Sequence, residues 1–314
     1  MFKTFSYLFS LKCLLKKSKV DVFLPYYHVV SDKNIEHIYH LYKYRNILHF
    51  IGDINFFKEN FNFVSLHEIL AYKRGEIKLP KNALHLSFDD GLQEIASFVA
   101  PLLKEHNIPA TFFVTANFVD NKEMFYKFKQ SLLLEEIKYH PETEITESDI
   151  REINYLNRNE LDKFAKEMNY SFEKYLEERK PFLTSQQIEE LIKMGFSIGA
   201  HSIDHPRFKE VDKEEQIRQI LASTKKIKEK FNLEYSVFAF PFEDNYVSSE
   251  VFAAIEGKVD LTFGTSGLNE DIYNFSMQRF EMEKTQDPAE QIFREKCLKH
   301  IIKRYLGKHK LVRE

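Results

Sequence analysis

The chain has 314 residues, and 43% of them are hydrophobic, enough to build one large domain or two modest ones. Its 45 basic and 48 acidic residues give a formal net charge of -3, which argues against the basic surface of a nucleic-acid-binding protein. The two cysteines, Cys13 and Cys297, lie near opposite ends and are too few for a disulfide framework or a cysteine-based zinc site.

Residues 1–19 are a separate N-terminal segment, in which lysines follow the apolar stretch 5–11. The stretch is too short to span a bilayer, and it lacks the length and the cleavage site of a signal peptide. We expect an amphipathic helix that packs on the domain, with contact with a membrane surface as the alternative. The expected location is the cytoplasm, with the protein either free or associated with a membrane.

Residues 20–314 are predicted to form one α/β domain. Its predicted strands are VFLPYYHVV (22–30), ALHLSF (83–88), ATFFVTA (110–116), FSIGA (196–200), SVFAFPF (236–242), DLTFGTS (260–266) and SMQRFEM (276–282). Helical periodicity is found at 92–106, 184–194, 212–231, 247–256 and 288–305. This alternation predicts parallel βα units in a barrel or a doubly wound sheet, and the absence of a G-x-G-x-x-G motif after any strand favours the barrel.

Residues 120–183 interrupt this alternation. They are strongly charged and poor in strand signals, and they contain helical stretches at 124–138 and 159–178. We interpret the region as a helical insertion in a βα loop. It is either a lid or partner surface, or a solvated decoration without a role at the site.

Asp89 and Asp90 lie side by side where the predicted strand 83–88 ends, in the run LHLSFDDGLQEI. Two adjacent carboxylates resist being ionised together, so the pair is unfavourable unless something compensates for it. Either a turn at Gly91 exposes both acids to solvent, or a bound cation offsets their repulsion.

A second polar cluster, HSIDHP (201–206), also follows a predicted strand. His201 and His205 are four residues apart, a spacing that places both on one face of a helix. Pro206 disfavours helical geometry at the residue before it, so a tight loop that brings two imidazoles together is the better interpretation. Asp204 lies between the histidines, either as a further ligand or as part of the turn.

The two clusters lie at the carboxyl ends of predicted parallel strands, where the active sites of barrels are built. One carboxylate and two imidazoles are a suitable ligand set for zinc and leave positions open for water and substrate. The second acid of the pair then stays off the metal and acts as a base. A dication beside Asp90 offsets the repulsion that Asp89 would otherwise feel.

Several segments resemble the motifs of the polysaccharide deacetylases, the NodB-homology group or carbohydrate esterase family four. The similar segments are YYHVV (26–30), FVSLHEIL (63–70), SFDDG (87–91), HSIDHP (201–206) and FAFPFED (238–244). The third motif, FAFPFED, has the form used by one branch of the family. The resemblance covers residues 20–119 and 184–283, and its first two motifs are specific in combination.

The resemblance implies a distorted, incomplete (β/α) barrel of the NodB type. It assigns metal binding to Asp90, His201 and His205 and the role of general base to Asp89. The implied cofactor is Zn²⁺ or another divalent ion such as Co²⁺, Ni²⁺ or Mn²⁺.

The implied reaction is metal-assisted amide hydrolysis, in which the metal polarises the acetyl carbonyl and Asp89 deprotonates an activated water. The resemblance places the oxyanion against the metal and the third-motif residues Pro241 and Phe242, with the Phe242 N–H as donor. A general acid then protonates the departing sugar amine.

Two parts of the family pattern are missing from their usual places. Many members carry an arginine in the third motif that orients the base, but this chain has Ala239 there. Arg279 of SMQRFEM either supplies that charge or forms an ordinary salt bridge. The terminal Leu-x-His that provides the general acid is also missing. His28 is therefore predicted near the site, either as a catalytic residue or as a packed, hydrogen-bonded side chain.

The sequence thus predicts a metal-dependent hydrolase of amide bonds that removes acetyl groups from N-acetylated sugars of a polysaccharide or glycan precursor. One alternative is an esterase for O-acetyl groups of a glycan, and the other is a catalytically weak, glycan-binding relative. The pair Asp89 and Asp90 argues against the second, since a binding module has no use for a base. The expected partner is an acetylated glycan or sugar, with no nucleic acid.

Overall fold

The structure is a computed structural model that describes residues 5–313. Strands within this range form two sheets in which all neighbouring strands are parallel. The strands are β1 Val22–Phe23, β2 Pro25–Tyr27, β3 Asn62–Phe63, β4 Ala83–Leu84, β5 Leu86–Phe88, β6 Ala110–Val114, β7 Ser197–Ala200, β8 Val237–Ala239, β9 Leu261–Gly264, β10 Ser276–Gln278 and β11 Phe280–Glu281.

The larger sheet is a nearly closed barrel with the strand order β10-β9-β8-β7-β6-β5-β2-β11. Its two edge strands, β10 and β11, are separated only by Arg279, so one short stretch of chain pairs with β9 on one side and β2 on the other. The smaller sheet has the strand order β1-β4-β3. Two of its strands, β1 and β4, come just before β2 and β5 of the larger sheet along the chain. The distorted (β/α) barrel predicted from the sequence is confirmed, and each of the seven predicted strand runs contains at least one strand.

Helices connect the strands and cover the outside of the barrel. The α-helices are α1 Leu11–Ser18, α2 Ile47–Asn60, α3 Leu66–Lys73, α4 Ala100–Glu105, α5 Tyr126–Glu136, α6 Glu147–Glu152, α7 Glu160–Glu167, α8 Phe172–Arg179, α9 Ser185–Lys193, α10 Lys213–Lys230, α11 Ser249–Ile255 and α12 Ala289–Tyr305. A π-helical turn, Ile95–Val99, precedes α4. All five predicted helical intervals are helical, and α2 and α3 are helices that the sequence analysis did not identify.

The N-terminal caps explain where two of these helices begin. Ser65 and Glu68 form a capping box at α3, in which each side chain accepts from the other residue's backbone N–H. Asn46 caps α2 by accepting the N–H of His49. α2 is rich in aromatic and β-branched residues, which are typical of strands, and this composition hides its helical character.

The region 120–183 folds into α5, α6, α7 and α8 and has a hydrophobic core of its own. Its core members include Phe125, Phe128, Leu133, Ile150, Leu161, Phe172 and Phe182, with Val29, Ile35 and Ile38 from the loop after β2. Because this core reaches the loop after β2, the insertion packs on the end of the barrel where the strands finish.

The N-terminal segment packs on the barrel's last helix. Leu14 and Leu15 of α1 are buried in the main core beside α12, and the Arg294 guanidinium donates a 2.7 Å hydrogen bond to the carbonyl of Phe9. Residues 1–4 of the predicted N-terminal segment lie outside the described range. Every helix in the described part of the chain is too short or too polar to cross a membrane.

Phe293 of α12 is the centre of an aromatic cluster that ties this helix to the barrel. Its ring lies 4.8–5.6 Å from the rings of Phe23, Phe56, Phe57, Phe61 and Phe280. The side chain is fully buried, so its removal leaves a cavity that the surrounding rings cannot fill.

We therefore expect Phe293→Ala to lower the free energy of unfolding by about 3–5 kcal/mol, measured by urea denaturation. Leu306→Ala, just beyond the same helix, removes a side chain that is 63% exposed and should change stability by less than about 0.5 kcal/mol. Equal unfolding midpoints for the wild type and Phe293→Ala would contradict this role of the cluster.

Candidate active site

A cavity of about 470 Å³ lies where the barrel strands end. The motif residues that line it include His28, Asp89, Asp90, His201, His205 and Phe242. These residues follow β2, β5, β7 and β8, whose carboxyl ends meet on one side of the barrel. Arg279 and Pro241 are buried next to this group and are not among the residues lining the cavity.

Asp90, His201 and His205 present three ligand atoms to one point. The Nε2 atoms of His201 and His205 lie 3.4 and 3.0 Å from Asp90 Oδ1, and the three atoms lie within 4.8 Å of one another. Asp90 Oδ1 is buried and has no hydrogen-bond partner among residues 5–313. A buried, unpaired carboxylate oxygen between two imidazoles fits a divalent metal ion, which prefers this donor set.

The surroundings hold these ligands in the form that binds a metal. The Nδ1–H of His201 donates to the carbonyl of Ala239 at 2.9 Å, which directs Nε2 towards Asp90. Burial lowers the pKa of His205, which favours the neutral imidazole. Burial alone would raise the pKa of Asp90, but the nearby imidazoles of His205 and His201 hold it well below its usual value.

The backbone at the site adopts a left-handed conformation at four residues that are not glycine. Asp90, Ser202, His205 and Phe242 have φ angles of 69°, 67°, 63° and 56°. Such conformations are costly for residues with a Cβ and are found preferentially at functional sites. Gly91 also has a positive φ of 69°, and a Cβ there would lie 3.0 Å from the Val114 side chain.

Asp89 is paired with Arg279 in a fully buried, two-pronged ion pair. Arg279 Nη1 donates to Oδ1 at 2.6 Å and Nη2 donates to Oδ2 at 2.8 Å. The same guanidinium donates to Ser87 Oγ and lies 4.6 Å from the centre of the Tyr26 ring. The charge that is missing at Ala239 therefore comes from the segment between β10 and β11.

This ion pair determines the charge of Asp89. Burial of the carboxyl would raise its pKa, but the Arg279 guanidinium, with a contribution from His201, brings the pKa below its usual value. Asp89 is therefore ionised at neutral pH, although its side chain is only 2% exposed.

His28 lies at the cavity with a buried acid behind it, Glu283. Its Nδ1 is 2.8 Å from Glu283 Oε2, and the backbone N–H groups of His28 and Val29 also donate to this carboxylate. Burial acts to lower the pKa of His28, but Glu283 outweighs it and raises the pKa to about 10. His28 is therefore a cation at neutral pH, with Nε2 left free of the contact with Glu283.

The sequence analysis did not identify Glu283. The residue is the second after β11, so it lies at the carboxyl end of a strand, as His28 and Asp89 do. That position is the signal that would have identified it.

The third-motif residues have different positions. Phe242 lines the cavity, and its N–H donates no hydrogen bond within the described chain. Its carbonyl accepts from Thr265 Oγ1 at 2.8 Å, which fixes this peptide. Pro241 is buried and has no N–H to donate. Asp204, the other candidate ligand, instead accepts hydrogen bonds from Tyr155 and Gln219.

Residues outside the motifs complete the cavity, and the sequence analysis did not identify them. They come from the loop after β2, from the insertion and from the loop after His205, and they include His40, Leu41, Tyr42, Phe125, Lys127, Gln130, Leu134, Arg151 and Arg207. The insertion is thus part of the cavity wall.

Arg279→Met leaves the Asp89 carboxylate as an uncompensated buried charge. We expect it to lower the free energy of unfolding at pH 7 by about 3–5 kcal/mol, measured by urea denaturation. In the double variant Arg279→Met/Asp89→Asn no buried charge is left, so part of the loss should be recovered. Losses that simply add in the double variant would show that the two side chains are energetically independent.

Known proteins resemble the chain in sequence and in fold. The family model for polysaccharide deacetylase matches residues 76–255, and no functionally curated protein shows significant sequence similarity to the chain. Among solved structures, the deacetylase PplD of Streptococcus pyogenes in complex with acetate is 16% identical, with a TM-score of 0.59. The match covers 87% of this chain and 97% of the PplD chain.

Two further structures are similar to the same extent. IcaB from Ammonifex degensii is 16% identical, with a TM-score of 0.58, over 88% of this chain and 97% of its own. A de-N-acetylase from Aggregatibacter actinomycetemcomitans is 17% identical, with a TM-score of 0.58. The match covers 87% of this chain and 99% of the de-N-acetylase. At this level of identity the similar structures establish only the barrel fold. The family assignment rests on the family model, which covers more than half of the chain. The predicted family and the predicted enzyme class, a hydrolytic deacetylase, are confirmed: the chain belongs to the polysaccharide deacetylase family.

Proposed function

We propose that the protein is a metal-dependent hydrolase that removes acetyl groups from N-acetylated sugars of a polysaccharide or glycan precursor. The observation that carries the proposal is the pair of adjacent carboxylates in two different environments. Asp89 is bound by Arg279, and Asp90 faces the two histidines. One acid is thus equipped to accept a proton while the other binds a metal.

Asp90, His201 and His205 would hold the metal, which is Zn²⁺ or a similar divalent ion such as Co²⁺, Ni²⁺ or Mn²⁺. When bound, the ion polarises the acetyl carbonyl and makes a water molecule more acidic. The three protein ligands leave room in the cavity for water and substrate, as catalytic sites require.

Asp89 accepts the proton of the attacking water. Its pKa below the usual value keeps it ionised, and the two hydrogen bonds from Arg279 fix its orientation. Each carboxylate oxygen retains a lone pair beyond its bond to Arg279, and one of these faces the reaction. Arg279 is a positioning residue, since it contacts the base and does not line the cavity.

The Phe242 N–H is available to the oxyanion that forms when water attacks the amide carbon. A fixed backbone donor stabilises this charge more than it stabilises the neutral carbonyl, and therefore it lowers the barrier. The bond between the Phe242 carbonyl and Thr265 keeps the peptide in its left-handed conformation.

His28 supplies the proton that the departing sugar amine needs. Its raised pKa keeps the ring protonated at neutral pH, and Glu283 holds Nδ1 so that Nε2 is the free position. This assignment fills the role that the missing Leu-x-His has in the family pattern.

The names of the relatives support an N-acetyl substrate. One relative is a deacetylase in complex with acetate, and another is described as a de-N-acetylase. Acetate release from N-acetylglucosamine oligomers and from O-acetylated sugars, measured side by side, distinguishes an amidase from an esterase.

We expect Asp89→Asn to reduce turnover by at least about 10²–10⁴-fold while the metal stays bound, because the base is lost and the three ligands remain. His201→Ala removes a ligand and should lose the metal together with the activity. Metal content by elemental analysis and acetate release measure the two effects. Full activity in Asp89→Asn, or wild-type metal content in His201→Ala, would contradict the assignments.

Glu283→Gln should shift the pH dependence of activity. Glu283 raises the pKa of His28, so the protonated form of His28 persists up to about pH 10 in the wild type and is lost above it. Without the carboxylate, burial lowers this pKa, and we expect the alkaline limb of the kcat profile to move to lower pH. The profile of acetate release against pH measures the shift.

Two controls distinguish a relay from a structural role of Glu283. His28→Gln should lose the alkaline limb altogether, and adding Glu283→Gln to it should cause little further loss of activity because the two residues act as a unit. An alkaline limb that stays in place in Glu283→Gln would contradict the pairing.

A further inference from the structure

The cavity wall outside the catalytic group carries several positive charges. Lys127 of α5, Arg151 of α6 and Arg207 of the loop after His205 all line the same cavity as Asp89 and Asp90. Two of the three come from the insertion, and none belongs to a family motif described above. The catalytic scheme leaves these cations without a role.

The protein itself neutralises these charges only in part. Lys127 has no carboxylate within 4.0 Å in the described part of the chain, and the carboxylates nearest to Arg207 lie 3.8 and 3.9 Å away. Arg151 pairs with Glu147 of its own helix, at 3.2 Å, and its side chain is half exposed. Burial and the neighbouring charge of Arg207 lower the pKa of Lys127 despite the opposite effect of Glu210, so an anion beside these two cations would relieve their repulsion.

Arg207 connects this wall to the reacting group. Its guanidinium lies 4.2 Å from the centre of the Phe242 ring, and that ring lies 4.9 Å from the ring of His205. The candidate metal site and Arg207 thus lie on either side of the Phe242 ring, within reach of one substrate.

The carboxylates that line the cavity do not neutralise the positive charge of Lys127, Arg151 and Arg207. Asp89 is bound by Arg279, and Asp90 faces His201 and His205, which leaves Glu281 as the remaining carboxylate among the lining residues. A metal ion at Asp90 would add further positive charge. A neutral acetylated sugar adds no negative charge to this wall, whereas an anionic sugar adds a partner for its cations.

We propose that Lys127, Arg151 and Arg207 form a subsite for an anionic group, a phosphate or a carboxylate, carried by or adjacent to the N-acetylated sugar. The subsite deepens the proposed function and rests on it. It makes the insertion a determinant of substrate choice, because α5 and α6 supply two of the three cations.

The test compares matched sugars that differ only in the anionic group. The probes are N-acetylglucosamine, N-acetylglucosamine 1-phosphate and N-acetylglucosaminuronic acid, with acetate release by the metal-loaded protein as the readout. We expect one of the two anionic sugars to have a kcat/KM about 10- to 100-fold above that of N-acetylglucosamine, mainly through a lower KM. The sugar that gains more identifies the anion as a phosphate or a carboxylate.

Substitutions of the cavity-wall cations test whether they cause the higher kcat/KM for the anionic sugar. Lys127→Met and Arg151→Gln should each raise the KM for the favoured anionic sugar by about tenfold, and they should raise the KM for N-acetylglucosamine by much less. The matched control is Lys138→Met, which removes an exposed lysine just after α5 that does not line the cavity. Equal kcat/KM for all three sugars, with no effect of Lys127→Met, would overturn the subsite and leave the deacetylase function standing.

A binding measurement separates the subsite from the chemistry. Calorimetry with zinc-loaded Asp89→Asn protein measures the affinity for N-acetylglucosamine 1-phosphate and for the uronic acid without turnover. Weaker binding of either sugar after Lys127→Met is added supports the subsite even if no sugar is hydrolysed, an outcome that would refute the proposed function alone. Binding that Lys127→Met does not change overturns the subsite.

Discussion

The buried ion pair between Asp89 and Arg279 is the interaction on which the site depends. Two adjacent carboxylates cannot both be ionised in a buried position without compensation, and the guanidinium supplies it for one of them. Asp90 is then free to face the histidines. The same arginine lies between the two strands that complete the barrel, so the charge balance of the site and the closure of the sheet involve one residue.

Much of the fold and half of the site follow from local sequence. Short apolar runs separated by helical periodicity specify the parallel barrel, because each βα unit is encoded by neighbouring residues. The polar residues that follow those runs, Asp89, Asp90 and His201, can be identified for the same reason, since a residue after a parallel strand lies at the carboxyl edge. The strand-like composition of α2 shows where this reasoning fails: packing against the core overrides propensity.

What the sequence does not show is which distant residues meet. The sequence alone does not show whether Arg279 supplies the missing charge or forms an ordinary salt bridge. Its contact with Asp89, 190 residues away, decides between the two. Glu283 carries no motif and acquires a role only through His28. The sequence leaves open whether the insertion is a lid, a partner surface or a solvated decoration, whereas in the structure Phe125 packs at 4.3 Å on His205 and Lys127 lines the cavity. Such pairings arise from tertiary packing, which has no periodic signature in the chain.

The position of residues 276–281, which pair with both β9 and β2 and so complete the barrel, also affects how the protein folds. His28 and Glu283 are separated by 255 residues, and the strands that border Arg279 pair with partners from opposite ends of the barrel. Contacts of such high sequence separation slow folding, because a long loop must close before they form. The facing edges of β2 and β9 stay unpaired, and Asp89 has no counter-charge, until residues 276–281 are in place. A chain in which residues 276–283 have not yet docked therefore has open sheet edges and an incomplete site, and this form is the one most exposed to aggregation.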